Sequence, residues 1–427
     1  MAELEHSAEQ PLLEQPGTGP ENQRFNLHDR PGDQLFAQVA VCVYAVVVLA
    51  VLGVRPLWAD ELLQLSGARQ GTWAGVIQWA QILPGGAPLP LGLQKLAILA
   101  LGWSNWAVRL PAALFGIGSA VMFARIAKWN RVAVALFLTV PILFRYATEG
   151  RMYSEALFFV LLAWWARSRW LRIAAALGAV YSSPFAIFPL LAIHPLTAIL
   201  AGVAFLPWWL VQRGMQAAQG SMSVYSFAWS QLSPLLLVRE FTGGGFWCGV
   251  PLLILAGMGW RKRKAGSEWV MGASVMGPPV ADAIAGYFFA ARQWLFGLPP
   301  LILAASGSAS AIAMSLVCVF LAGALAKDVR QTFFQAEDWG AAAHAIRDEL
   351  SGGGCLVVAP AEQIGYYAFY EPSLAQRVCA AERSGAAVLA ASPYTTAAEE
   401  QRELVQMRVT KRRVVGTIRI AAGSYSR

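Results

Sequence analysis

The chain has 427 residues, of which 57% belong to the hydrophobic set and only 14% are charged, and its mean hydropathy is +0.48. This composition excludes an ordinary water-soluble domain and is typical of an integral membrane protein. Residues 35 to 326 carry seven acidic and nineteen basic groups, a net charge of +12. Because these basic groups lie between apolar runs, they indicate loop charge bias and contact with membrane lipid, and nucleic acid is excluded as a partner.

The first 34 residues are acidic and rich in Pro, Gly and Gln. They contain no basic stretch that runs into an apolar core, so they do not read as a cleaved signal peptide. A disordered cytoplasmic tail is predicted for residues 1 to 34.

Residues 35 to 326 are predicted to form a transmembrane domain of about eleven helices, since a span needs roughly 20 apolar residues. The approximate ranges are 35 to 54, 109 to 127, 131 to 146, 152 to 167, 173 to 190, 194 to 211, 224 to 239, 245 to 260, 268 to 290, 294 to 307 and 309 to 326. Short basic loops mark the cytoplasmic side: Arg125 to Arg131, Arg167 to Arg172, Arg213, and Arg261 to Lys264. Residues 55 to 108 and 327 to 427 are then extracytoplasmic.

The first external loop, 55 to 108, contains the apolar run LPLGLQKLAILALG at residues 89 to 102. This run is short for a span and is interrupted by Lys95. It is therefore predicted to be a helix that lies in the outer interface of the membrane.

A small α/β domain is predicted for residues 327 to 427. Apolar residues recur there at helical spacing before a glycine run at 352 to 354: Trp339, Ala342, Ala343, Ile346 and Leu350. Short strands are predicted at 355 to 360, 386 to 391 and 414 to 420. Cys355 and Cys379 form a disulfide if the domain is outside the cytoplasm, and a pair of free buried thiols is the alternative.

Carboxylates are rare in residues 35 to 326, so each one is informative. Asp60 and Glu61 follow the first predicted span directly, at the outer face, where the alternative is a pair of charges solvated by headgroup water. Asp282 lies within a predicted span, behind Pro278 and Pro279, which are expected to break the helix and open a polar cavity. Asp282 is a proton site in a transporter, and in an enzyme it lines the acceptor cleft or has a structural role.

Several cations are predicted on the outer side, against the charge bias of the loops: Lys95, Arg109, Arg145, Arg151, His194 and Arg292. Arg and Lys bind phosphate oxygens, and they do so more strongly close to lipid than in water. Taken singly, Arg109, Arg145 and His194 have simpler explanations as a helix cap, an ion-pair partner of Glu149 and a packed helix-end histidine.

The order of the motifs carries a resemblance. An Asp-Glu pair after the first span is followed by APLPLGLQKLAILALG, SNWAVRLPAALFGIGSAV, RYATEGRMY, ARQWLFGLPPLILAA and EDWGAAAHAIRDEL. This succession resembles the GT-C superfamily of membrane glycosyltransferases over roughly residues 40 to 370. Within it the chain resembles the branch that uses polyprenyl-phosphate sugars and includes the aminoarabinose transferase and the protein O-mannosyltransferases.

The resemblance implies an inverting glycosyltransferase in the bacterial cytoplasmic membrane, with a polyprenyl-phosphate-linked sugar as donor. The acceptor is a glycolipid, a polysaccharide or a protein. The implied catalytic acid is Asp60, with Glu61 as its neighbour. Phosphate-binding roles are implied for Lys95, Arg151 and Arg292.

Substrate contacts are predicted for four further residues: Tyr153, Glu149, His194 and Asp282. Three positions depart from the family pattern, because Met152 replaces a proline, Gln293 replaces a tyrosine and His194 stands in IHP. No cofactor and no obligatory metal are predicted, since no DxD motif is present.

Two alternatives remain open. A transporter or lipid flippase would use Asp282 and the outer cations to guide an anionic amphiphile, and an assembly protein would use its terminal domain to bind a partner. A transporter does not need an acid-bearing external loop at 55 to 108, and it more often shows paired halves with broken helices, which are not visible here.

Overall fold

The computed structural model describes residues 31–83, 86–218, 242–243, 245–260, 267–285, 291–307, 311–334, 337–379 and 385–425. The predicted tail lies almost entirely outside these residues, as do the predicted span at 224 to 239 and the basic run from Arg261 to Lys264. The described chain is mostly helical, with one small sheet near its C-terminal end.

The helical part is an array of long and short helices. In chain order they are α1 (Pro31–Val51), α2 (Ala59–Ala68), α3 (Trp73–Ile82), α4 (Pro88–Leu101), α5 (Asn105–Ile126), α6 (Arg131–Thr139), α7 (Pro141–Ala147), α8 (Tyr153–Trp165), α9 (Arg169–Ser182), α10 (Ile187–Ile193), α11 (Pro195–Ala218), α12 (Phe246–Trp260), α13 (Ser267–Ala285), α14 (Leu298–Ser306) and α15 (Ala311–Phe334). Short 3-10 helices precede α10 (Pro184–Ala186) and α14 (Ala291–Gly297).

Three helices of the described chain are long and apolar enough to cross a membrane: Gly32–Val51, Asn105–Ile126 and Pro195–Met215. Four shorter apolar helices accompany them: Pro88–Leu101, Tyr153–Trp165, Pro184–Ile193 and Trp247–Trp260. These helices support a multi-pass membrane protein, whereas the predicted number of about eleven spans is not confirmed.

Prolines divide two of the predicted spans. Pro141 begins α7, so the segment 131 to 146 is two short helices, and Pro184 ends the helical run of α9. Proline lacks the N–H of a helix interior but fits the first turn, so it begins a new helix at both places. Pro278 and Pro279, in contrast, lie inside the continuous helix α13, so the predicted break there is wrong.

The segment after α9 returns to the end of the bundle at which α9 begins. His194, just after α10, has its Nδ1 atom 3.5 Å from Nη1 of Arg172, near the start of α9. The predicted span at 173 to 190 is therefore wrong. α9 and the helices of Pro184–Ile193 form a hairpin instead of a single crossing.

The next helix, α11, runs from this end to the first loop. Gln212 donates hydrogen bonds to the carbonyl oxygens of Ala80 (3.1 Å) and Gly86 (2.8 Å). Arg213 thus lies at the end of the bundle where α3 lies. Its predicted place beside Arg172 is wrong, because the hairpin adds one reversal of the chain before α11.

The C-terminal segment is a compact α/β unit, as predicted. Its elements are α16 (Trp339–Glu349), β1 (Cys355–Ala359), α17 (Ile364–Tyr370), β2 (Gly385–Ala391), α18 (Ala397–Val405), β3 (Met407–Val415) and β4 (Ile418–Tyr425). The strand order is β1-β2-β4-β3; β1 and β2 are parallel and the other pairs antiparallel. A disulfide joins Cys355 to Cys379, the first of the two alternatives above.

One predicted strand of this domain is wrong. Residues 414 to 420 contain the end of β3, a turn at Gly416 with a φ of 58° and the start of β4. β3 is an exposed edge strand with the sequence MRVTKRRVV, in which basic residues replace the apolar alternation of a half-buried strand.

The C-terminal domain packs directly on the first loop. Leu62 and Leu65 of α2 share one buried cluster with Trp339 and Tyr367 of the domain. All four side chains are at most 1% exposed. This contact fixes the position of α2 between the domain and the helical bundle.

Candidate active site

Helix α2 places two neighbouring acids in its first turn. Acidic residues are favourable there because the helix N-terminus carries a partial positive charge. The N–H of Ala59 donates to Glu337 Oε2 over 3.2 Å. Asp60, the next residue, is 29% exposed at its side chain, whereas Glu61 is completely buried.

Asp60 is held between two arginines from distant parts of the chain. Its Oδ2 lies 3.4 Å from Nη2 of Arg151 and 3.3 Å from Nη1 of Arg292. Arg151 also donates to the carbonyl oxygen of Asp60 over 3.0 Å. Arg151 comes from the loop before α8 and Arg292 from the 3-10 helix Ala291–Gly297, so three of the predicted site residues come together.

Tyr153 lies against both guanidinium groups. The ring centroid is 5.8 Å from Cζ of Arg151 and 5.8 Å from Cζ of Arg292, within the range of cation–π attraction. Burial tends to lower the pKa of Arg151, but Asp60 and Tyr153 outweigh it and the pKa is raised. Tyr153 is the main cause of the raised pKa of Arg292, with Asp60 adding to it. Both arginines therefore stay charged.

This cluster has an excess of positive charge and of hydrogen-bond donors. Two guanidinium groups face one carboxylate, which leaves a net charge of +1. Two buried N–H groups of this cluster have no partner among the described residues: Nε of Arg151 and Nε of Arg292. Because buried donors are nearly always paired in proteins, such a group of donors is suited to an anion.

Glu61 forms the buried layer beneath Asp60. Arg109 donates to both of its oxygens, each over 2.7 Å, and the N–H of Gly150 donates to Oε1 over 2.7 Å. Burial alone would raise the pKa of Glu61, but Arg109 and Arg55 outweigh it and lower the pKa to about 2. With both oxygens engaged and no exposure, the geometry favours a positioning role for Glu61 over a chemical one.

Arg109 is the centre of this buried layer. Besides Glu61, it binds the carbonyl oxygens of Leu52, Arg55 and Pro56, at the end of α1 and in the turn that follows it. It is therefore more than the helix cap that the sequence suggested. The layer ties α1 and α2 to α5 and, through Gly150, to the loop that carries Arg151.

Glu149 also lies in the buried layer and is 3% exposed. Its Oε1 accepts from Arg55 over 3.3 Å, and burial raises the pKa of Glu149. Because its side chain is buried, Glu149 is not on the accessible side of the cluster. Arg145, for which an ion pair with Glu149 was the simpler alternative to phosphate binding, pairs with Asp328 of α15 instead.

Lys95 lies on α4, in the predicted interfacial helix, but it does not contact Asp60. Its Nζ donates to the carbonyl oxygen of Gln70 over 2.5 Å and lies 5.6 Å from the ring centroid of Trp73. A cation at this place stabilises the free carbonyl groups after the end of α2. Phosphate binding by Lys95 remains a prediction.

The structure places the predicted site residue His194 away from the cluster. His194 hydrogen-bonds the backbone of Ala163, ten residues after Tyr153 on α8 and so about 15 Å further along the helix axis. The prediction that His194 shares the end of the bundle with Asp60 is wrong, because the α9 hairpin returns the chain. Asp282 is buried on α13, beside Ala281, which lines an apolar cavity of about 250 Å³.

Two residues near Asp60 were not predicted from the sequence. Glu337 accepts from Tyr394 Oη over 2.6 Å on one oxygen, and from the Trp339 indole (2.8 Å) and Ala59 on the other. Glu337 stands in EDWGAAAHAIRDEL, which contributed to the resemblance as a motif without pointing to this residue. Tyr394 lies in a loop of the C-terminal domain and has no local signal at all.

Among the described residues, no three His, Cys, Asp or Glu side chains are grouped as metal ligands. The prediction of no obligatory metal is not tested by this observation.

The sequence matches no family model and no curated protein. Two crystal structures of ArnT from Cupriavidus metallidurans are similar to the chain, and each similarity covers 92% of this chain and 98% of ArnT. The TM-score is 0.51 with 12% identity for the apo state, and 0.52 with 14% identity for ArnT bound to undecaprenyl phosphate. The chain has the ArnT fold. This similarity concerns the fold, and at that level it agrees with the resemblance that the motifs indicate.

Proposed function

We propose that the protein is an inverting glycosyltransferase that moves a sugar from a polyprenyl-phosphate carrier to an acceptor hydroxyl. The observation that carries the proposal is the Asp60 carboxylate between the guanidinium groups of Arg151 and Arg292. The ArnT fold supports it, since ArnT is a protein that binds undecaprenyl phosphate.

The arginines would bind the donor phosphate. Their unpaired N–H groups and the net charge of +1 match a phosphodiester, which carries one negative charge. As the bond from the sugar to phosphate breaks, charge grows on the departing phosphate. Preorganised cations at that position stabilise the transition state, which is the largest contribution in many enzymes.

Asp60 would act as the general base. Both arginines contact Oδ2, and within the described ranges no hydrogen bond to Oδ1 occurs. Oδ1 can accept the proton of the acceptor hydroxyl while its oxygen attacks the anomeric carbon opposite the phosphate. The sugar is transferred with inversion, the proton ends on Asp60, and polyprenyl phosphate leaves.

An apolar cavity in the helical bundle would hold part of the hydrocarbon chain. The cavity of about 250 Å³ is lined by α9, α10 and α11 side chains such as Phe188 and Trp209, together with Ala281 of α13. α13 packs on the 3-10 helix that carries Arg292. Helix α13 therefore lines the apolar cavity and also contacts the 3-10 helix of the phosphate site.

The site and the C-terminal domain would face the extracytoplasmic side of the bacterial inner membrane. The disulfide between Cys355 and Cys379 supports this orientation, since disulfides persist in oxidising compartments. The acceptor would be a glycolipid, a polysaccharide or a protein. A transporter receives no support from α13, because that helix is continuous through Pro278 and Pro279.

The test is a transfer assay on the purified protein with a panel of undecaprenyl-phosphate sugars. Asp60→Asn should lower turnover by about 100-fold to 10,000-fold, the usual contribution of a general base. Asp348→Asn, a change of an exposed acid in the C-terminal domain, is the matched control and should keep wild-type turnover. Full turnover by Asp60→Asn removes Asp60 from the mechanism, and a wild type inactive with every donor contradicts the transferase.

A further inference from the structure

An aromatic side chain of the C-terminal domain faces the catalytic helix. Tyr394 is 48% exposed, and its hydroxyl donates to Glu337 Oε1 over 2.6 Å. Through Oε2, Glu337 accepts from the N–H of Ala59, the residue directly before Asp60. One carboxylate thus joins Tyr394 to the first turn of α2.

The loop around Tyr394 is fixed by its own hydrogen bonds. The hydroxyl of the completely buried Ser392 accepts from the N–H of Tyr394 over 3.1 Å. Thr395 Oγ1 accepts from the N–H of Ser392 over 2.8 Å and donates to the carbonyl of Ala359 in β1. These bonds fix the backbone at Tyr394, and Glu337 holds its hydroxyl, so less entropy is lost when a ligand binds the exposed ring.

Tyr394 and Asp60 are close enough to interact electrostatically. Burial of its hydroxyl is the main cause of the raised pKa of Tyr394, Glu337 raises it further, and Asp60 also contributes. The Tyr394 phenol stays neutral at physiological pH and donates a hydrogen bond to Glu337.

The neighbours of Asp60 come from two parts of the molecule. The cations beside it, Arg151 and Arg292, come from the helical part, whereas Glu337 and Tyr394 come from the chain beyond α15. A general base must reach the acceptor hydroxyl, which attacks from the face opposite the phosphate. The side of Asp60 away from the arginines is therefore the acceptor side.

We propose that Tyr394 is an acceptor-binding residue, and that its ring supports a sugar unit of a carbohydrate-bearing acceptor whose hydroxyl is directed at Asp60. A half-exposed aromatic ring with a fixed hydroxyl presents a rigid apolar face beside a polar edge, which suits the mixed surface of a sugar. Glu337 is a positioning residue that holds both this ring and the start of α2. The inference rests on the proposed function.

The experiment separates acceptor binding from donor chemistry. Turnover of the active undecaprenyl-phosphate sugar is measured with lipid A, with a peptidoglycan disaccharide and with a threonine peptide as acceptors. Hydrolysis of the same donor by water is measured in parallel. Tyr394→Ala should raise KM for the carbohydrate acceptor about tenfold, as loss of one aromatic contact does. It should leave donor hydrolysis and the Kd for undecaprenyl phosphate within about twofold of wild type.

Two further variants keep the inference falsifiable if Tyr394→Ala folds poorly. Tyr394→Phe retains the ring and should keep KM within about threefold, and Tyr394→Trp should do the same. Val405→Ala changes another exposed residue of the domain, 74% accessible, and should match wild type in every assay.

The outcomes distinguish the inference from the proposed function. An unchanged acceptor KM in Tyr394→Ala overturns the inference, as does an equal fall of hydrolysis and transfer, which indicates a structural role only. The inference is also overturned if the wild type transfers sugar only to the peptide. It is overturned as well if the wild type hydrolyses the donor but transfers sugar to neither carbohydrate. A wild type that neither transfers nor hydrolyses any donor contradicts the glycosyltransferase itself.

Discussion

The carboxylate of Asp60 and the guanidinium of Arg292 lie 3.3 Å apart although 232 positions separate them in the chain. Directly beside Asp60 in the sequence, Glu61 is bound by Arg109 through two hydrogen bonds of 2.7 Å. The two acids have opposite surroundings, since one is partly exposed and the other is completely buried. Asp60 is therefore available for chemistry, and Glu61 supports the fold around it.

Glu61→Gln should destabilise the protein strongly. Among the described residues, removing the Glu61 charge leaves Arg109 without a carboxylate partner, whereas Arg55 keeps Glu149, and breaking such a buried ion pair costs about 3 to 5 kcal/mol of unfolding free energy. Glu349→Gln is the matched control, because it disrupts a pair with the exposed Lys411 and should cost at most about 1 kcal/mol. Thermal unfolding of the detergent-solubilised protein measures the loss of stability in both variants. An equal loss in Glu61→Gln and Glu349→Gln would refute the structural role of Glu61.

Acid should remove the contribution of Glu61 to stability. The pKa of Glu61 is about 2 in the folded chain and ordinarily near 4.5, so the folded state binds the proton more weakly than the unfolded state does. Its stabilisation is complete above pH 4.5 and is lost as the pH falls toward 2. The difference in unfolding free energy between wild type and Glu61→Gln should therefore shrink from pH 7 to pH 3. A difference independent of pH would contradict this assignment.

The disulfide should be present in protein from its native membrane. Of the five cysteines, Cys42, Cys248 and Cys318 are free, and Cys355 and Cys379 are joined. Alkylation under denaturing conditions, read by mass spectrometry, should modify three thiols before reduction and all five after it. Five reactive thiols without reduction would contradict both the bridge and the extracytoplasmic orientation of the domain.

His194 should be dispensable for transfer. It lies beside Arg172 and Ala163, at the far end of α8 from Tyr153, so His194→Ala should keep turnover within about threefold of wild type. Cysteines introduced at His194 and at the exposed Ser168 should react with a membrane-impermeant thiol reagent from the same side. A cysteine at the exposed Thr72 should react from the opposite side. If the cysteine at position 194 is labelled from the same side as the cysteine at position 72, residues 173 to 190 cross the membrane once. That result would contradict the hairpin.

The sequence predicted those features that depend on local composition. Apolar runs located α1, α5 and α11, and the scarcity of carboxylates directed attention to Asp60. The run around Lys95 was identified as a short helix because it is too short for a comfortable span. The spacing of Trp339 and Ile346 predicted α16 with its buried face.

Features that depend on long-range contacts escaped prediction. The reversal after Pro184 follows from packing against α8 and α11, so hydropathy alone predicted one crossing and placed His194 on the wrong side. The difference between Asp60 and Glu61 depends on Arg109, which lies 48 positions further along the chain. Tyr394 meets Glu337 across 57 positions without a sequence pattern of its own.

In the proposed mechanism, Arg151 and Arg292 receive the donor phosphate beside Asp60. The most direct measurement is the Kd of the purified protein for undecaprenyl phosphate, compared among wild type, Arg151→Gln, Arg292→Gln and Asp60→Asn. Each arginine variant should bind about tenfold to a hundredfold more weakly, since each loses a charge-assisted contact worth about 1.5 to 3 kcal/mol. Asp60→Asn should bind at least as tightly as wild type, because it removes the competing carboxylate. Unchanged affinity in both arginine variants would contradict the proposed site.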